Sequence, residues 1–188
     1  VLGSPVWRGT SAVAFCLGLL GGGVVTATVL VVVGSLVRAP LPAPVPWLLV
    51  GLMLLVVLGK ESGLLRITLP ENRRLVPETV FRLGRHLGPL QFGLEMGTGA
   101  RTYLPSGLPY VAAVAVLFTA SFPAAVCAGL GFGLGRALMT TANLRYGESG
   151  AWDAAWTGHR RVLTLLLWCA FGLALLVLLF SDPSVRMP

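Results

Sequence analysis

Long apolar runs restrict this chain more than any other feature. They fall at residues 11–37, 45–65, 93–121, 122–141 and 162–180. Each reaches or approaches the roughly 20 apolar residues that a helix needs to cross a bilayer. Inside hydrocarbon every backbone N–H and C=O must find its partner within the protein, so such runs have to be helical. Charge agrees with this: Asp, Glu, Lys and Arg make up 11% of the chain, against about a quarter in a soluble domain. With 188 residues, 55% of them hydrophobic, too little polar surface remains to bury five helices in water. The expected fold is all-α, a polytopic integral membrane helical bundle. It has about five transmembrane helices in a single membrane domain, 1–188, with at least one helix discontinuous.

The expected discontinuity lies in the third run. Its second half is cleanly apolar, but its first half carries Glu95, Thr98, Arg101 and Thr102 among glycines. Pro105, Gly107 and Pro109 separate the halves. A proline removes a backbone donor and clashes with the preceding turn, so a helix does not run undisturbed through this stretch. At membrane depth such a break is tolerated where protein or a water-filled cavity surrounds it. Residues 21–23 of the first run are three adjacent glycines. They read either as a close helix approach or as a second interrupted span, the pairing that points to a mid-membrane site.

The net charge of +7 follows topology rather than a nucleic-acid footprint. Lys60 lies near the end of the second run, Arg66, Arg73, Arg74, Arg82 and Arg85 between the second and third, and Arg136, Arg145, Arg160 and Arg161 at or between the fourth and fifth. The other two connections hold only Arg38. The positive-inside rule then places the N-terminus in the cytoplasm and the C-terminus outside, in a plasma (inner) membrane. The first run is too long for the apolar region of a secretory signal and has no clear small-residue cleavage site. The expected partners are the lipid bilayer, together with further copies of the chain or other membrane subunits, and no nucleic acid. In the connection at 67–91, Pro77 suits a first helical turn. Val80, Leu83 and Leu87 form an apolar stripe there, as on a short amphipathic helix at the cytoplasmic surface. Trp152 and Trp156, in the second basic loop, read as interfacial anchors. Trp168 reads as packed against a neighbour.

Candidate binding residues are few. Glu95, Arg101, Thr102 and Ser106 surround the break, and Gly22 and Thr26 belong to the glycine-rich stretch of the first run that would pair with it. With a helix start near Gly93, Arg101 would lie roughly 12 Å deep by helix rise. A charge at that depth needs a partner and marks a functional site. Gly129 with Gly133, and Gly131 with Gly135, have the spacing that lets another helix come close, in the same chain or in another copy. Cys16, Cys127 and Cys169 form no Cys-x-x-Cys pair and read as small packing residues. His86 and His159 lack metal-ligand spacing. No phosphate loop or nucleophile elbow occurs, so neither a catalytic residue nor a cofactor is expected.

Phe92-Gly93-Leu94, Gly97, Pro105-Ser106 and Pro109, followed by an apolar helix, resemble the thiol–disulfide electron transporters that include CcdA and the DsbD membrane domain. They are also loosely similar to small transporters of the LysE-like group. The resemblance covers roughly the last hundred residues. In those electron transporters a Pro-Cys sits at a broken helix; here Ser106 stands where the cysteine would be. The resemblance therefore implies the broken helix more than the redox chemistry. Two function classes follow: a carrier or degenerate electron conduit with a midplane site at the break, or a non-catalytic subunit that anchors or stabilises a larger membrane complex.

Overall fold

The computed structural model describes residues 9–42, 44–67, 78–100, 106–145 and 151–181. Among them the protein is all helical. The helices are α1 (Thr10–Arg38), α2 (Pro44–Glu61), α3 (Leu87–Gly97), α4 (Leu108–Thr119), α5 (Phe122–Arg145) and α6 (Ala151–Ser181), with a 3₁₀ helix at Glu78–Leu83. Among the described residues, four stretches are long and apolar enough to cross a membrane: Thr10–Arg38, Pro44–Glu61, Phe122–Ala142 and Val162–Ser181. Their outer faces are apolar; Leu36, Leu52, Leu55, Leu165 and Leu173 all stand exposed. A belt of this kind is stable under lipid, so the chain is a membrane-embedded helical protein.

Helix α1 is the axis of the bundle. Glycines on two of its faces bring other backbones close. Gly18 and Gly22 face Leu90, Leu94 and Gly97 of α3, while Gly93 and Gly97 of α3 face Phe15 and Leu19 of α1. On the adjacent face Gly23 meets Gly129, and Gly133 meets Leu19 and Leu20. A Cβ at any of these positions would run into backbone. The numbering shows direction: α3 runs parallel to α1, and α5 antiparallel.

Helix α3 covers the first half of α1, from the Ser11 hydroxyl, which donates to the Arg85 carbonyl at 3.0 Å, to Thr26, which donates to the Thr98 carbonyl at 3.3 Å. Helix α4 covers the second half. Val116 packs with Ala27 and Val31, and Gly34 touches Leu117. The Arg38 guanidinium donates from Nη1 to the Ala120 carbonyl at 2.9 Å, at the C-terminal end of α4. On its other side α4 buries Val111 and Ala115 against Val50 and Val57 of α2, and Trp168, Phe171 and Leu175 of α6 close over this cluster.

Several expectations need correction. Residues 21–23 do not interrupt α1, which is continuous; Gly22 and Gly23 instead serve two different helix contacts. The amphipathic α-helix expected around residues 77–87 is a short 3₁₀ turn, stopped where Gly84 takes a φ of 96°. Val80 is buried, while Leu83 and Leu87 are exposed. Pro77 lies outside the described residues. Helix α3 begins at Leu87 rather than near Gly93, with Pro89 in its first turn, where no intrahelical donor is required. Helix α2 ends at Glu61, short of residue 65, where Gly63 turns the chain with a φ of 80°. Helix α6 starts at Ala151, so Trp152 and Trp156 are helical rather than in a loop.

Candidate functional site at the junction of two short helices

Helix α3 stops and helix α4 starts beside the middle of α1. Thr98 closes α3: its N–H donates to the Leu94 carbonyl and its hydroxyl to the Glu95 carbonyl at 2.7 Å. Gly99 follows with a φ of 74°, a conformation that glycine adopts without a Cβ penalty. A side chain there would also meet the Phe132 ring of α5. The Arg136 guanidinium lies 6.0 Å from the centroid of that ring, a cation–π distance.

A cavity of about 230 Å³ occupies this junction. Gly23, Thr26, Ala27 and Leu30 of α1 form one wall, and Thr98, Gly99 and Ala100 its end. Pro109, Tyr110, Ala112, Ala113 and Val116 of α4 form the second wall, and Ala128, Gly129 and Phe132 of α5 the third. The lining is mostly apolar with a few hydroxyls, the usual make-up of a small-molecule site.

The first turn of α4 is held from the side away from this cavity. The Glu61 carboxylate, at the end of α2, accepts from the Ser106 hydroxyl and the Gly107 N–H on Oε1, each at 2.8 Å. Its Oε2 accepts from the Trp168 indole N–H of α6 at 2.6 Å. Ser106 Oγ in turn accepts the Leu108 N–H at 3.2 Å. A carboxylate at a helix N-terminus satisfies orphan donors and opposes the positive end of the helix dipole. Arg38 does the reverse at the other end of α4. So α4, a helix of 12 residues, is clamped by opposite charges from α2 and α1.

Of the residues singled out by sequence, Thr26 lines the cavity. Ser106 sits at the Glu61 node. Glu95 accepts a 3.4 Å hydrogen bond from the Gln91 side chain one turn earlier, and its carbonyl receives Thr98. Gly22 packs against α3, while its neighbour Gly23 borders the cavity. Arg101 and Thr102 lie outside the described residues. Trp168 is packed against a neighbouring cluster, as expected, and also carries a hydrogen bond. Sequence reasoning passed over Glu61, Gly99, Tyr110 and Phe132. Glu61 was the most accessible of these to sequence: an acidic residue at the end of an apolar run in a chain with only seven acids.

Cys16, Cys127 and Cys169 are free thiols. No group of three or more His, Cys, Asp or Glu suited to a metal occurs among the described residues. Comparison of the chain with protein-family models, curated proteins and solved structures gives no match.

Proposed function

We propose that this protein is a small multi-span membrane carrier whose site is the cavity at the α3–α4 junction. The observation that carries this reading is the position of the cavity beside Gly23, Thr26, Ala27 and Leu30, near the middle of α1. Neither α3, at 11 residues, nor α4, at 12, is long enough to cross a bilayer. Laid end to end along α1 they reach about 34 Å by helix rise, close to the roughly 30 Å of a hydrocarbon core. The pair thus reads as one discontinuous span, the fifth crossing, with its break level with Glu61 at the end of α2. Irregular backbone at that depth is stable beside a cavity or inside protein. Broken helices of this kind form the midplane sites of many carriers.

With five crossings the N-terminus is cytoplasmic and the C-terminus outside, as the arginine distribution requires. The second reading is an anchoring subunit of a membrane complex. It draws support from α6, whose apolar stretch Val162–Ser181 contributes nothing fully buried to the bundle. The two readings separate in one experiment. In a background without Cys16, Cys127 and Cys169, Thr26→Cys is treated in liposomes with a small charged thiosulfonate. A carrier exposes this position to water, so labelling is expected. Absence of labelling, with a stoichiometric membrane partner in mild detergent, would favour the subunit.

A further inference from the structure

A second cavity, of about 370 Å³, lies across α4 from the first. It runs toward the end of the bundle marked by Trp47, Ala120, Ser121 and Ser181, and Phe171, Leu175 and Leu178 of α6 form its far wall. Ala112 and Val116 of α4 and Ala128 of α5 line both cavities. We propose that the two cavities are one route and that what travels along it is a lipid-soluble molecule with an apolar body. This rests on the carrier reading and adds the substrate class.

The partition favours passage because it is made of small side chains. Two alanines and a valine are the side chains shared between the spaces, so the partition carries no bulky or charged group. The walls favour an apolar cargo. No charged side chain lines either space among the described residues. The hydroxyl protons of Thr26, Thr98, Thr119 and Ser181 are already given to the carbonyls of Thr98, Glu95, Ala115 and Val177, which leaves Tyr110 in the first space and Trp47 and Ser121 in the second as the remaining polar side chains of the lining. An ion or a sugar would surrender its water and find little to replace it. An apolar body loses nothing by entering. Size agrees: a dry cavity of about 150 Å³ accepts benzene, so the first space holds a somewhat larger ring or a short acyl segment.

The test uses the full chain in liposomes and an apolar aryl diazirine, the trifluoromethyl-iodophenyl compound, photolysed and mapped by peptide mass spectrometry. Carbene insertion is expected at Tyr110 and Phe132 in the first cavity as well as at the exposed Leu166 and Leu173 of α6. Ala112→Phe fills the partition and is expected to cut labelling of Phe132 several-fold while leaving Leu173 unchanged. Ala128→Leu blocks the same partition from α5 and is expected to act alike, so a folding defect in one variant does not decide the matter. Wild-type labelling confined to α6, or Phe132 labelling that survives both substitutions in folded protein, overturns the proposal. Should Thr26→Cys react with the charged thiosulfonate while Phe132 stays free of carbene, the carrier reading stands with a water-soluble cargo and this inference falls. Failure of both labels removes both.

Discussion

Glu61 decides how α4 is held, because its two oxygens do different work. Oε1 caps the helix through Ser106 and Gly107, and Oε2 holds α6 through Trp168. Glu61→Gln keeps one acceptor for the cap and turns an amide NH₂ toward the indole N–H, two donors face to face. Glu61→Ala removes both interactions. Loss of a helix cap costs about 0.5–2 kcal/mol. Thermal unfolding in detergent should therefore rank wild type above Glu61→Gln and Glu61→Ala lowest; equal midpoints would show that the node contributes nothing. A second residue-scale expectation concerns sulfur. With Ser106 in the Pro-Ser position, replacing Cys16, Cys127 and Cys169 together by Ala should leave abundance and function intact. Loss of function in a folded triple variant would restore the electron-transfer reading. Thr26 was legible in the sequence as a hydroxyl beside mid-span glycines. The Glu61 node was not, because Ser106 and Trp168 are 45 and 107 residues away and nothing local marks them as partners.

The helices pair through glycine, and the pairing is directional. Gly22→Val would drive a side chain into the Leu94 and Gly97 backbone. Overpacking of this kind costs about 1–3 kcal/mol. Gly131 faces open space, and Gly→Ala in a helix gains up to about 1 kcal/mol from propensity alone. Gly131→Ala should thus match or exceed wild type in thermal stability while Gly22→Val falls well below it. The reverse order would contradict the α1–α3 contact. Glycine spacing was readable in the sequence, but which helix each row serves was not. Gly129 and Gly133 turn to α1 while Gly131 and Gly135 turn away, a choice made by rotation of α5 as a whole. Composition also concealed the start of α3, since Gly88-Pro89 resembles a stop and instead occupies a first turn, where proline is tolerated.

On the scale of the molecule, apolar runs and alternating basic loops were sufficient to read a membrane bundle. They did not show that α1 would be its axis, or that two short helices would share α1 end to end. That arrangement depends on packing along α1 rather than on any local pattern. Topology is open to a direct check: membrane-impermeant thiol reagents applied from outside should reach a cysteine placed at Leu41 and not one at Arg82, and the opposite pattern would invert the bundle. The central claim is that α3 and α4 form one broken span inside the bilayer, beside an accessible cavity whose α4 wall includes Ala113. A nitroxide at Ala113, in a cysteine-free background in liposomes, measures depth and access together by power saturation against oxygen and a nickel chelate. Expected is a depth near the bilayer centre, with more chelate collision than a nitroxide at the exposed Leu173 of α6 shows. A label at headgroup depth, or one at the centre no more open to chelate than Leu173, would contradict the account.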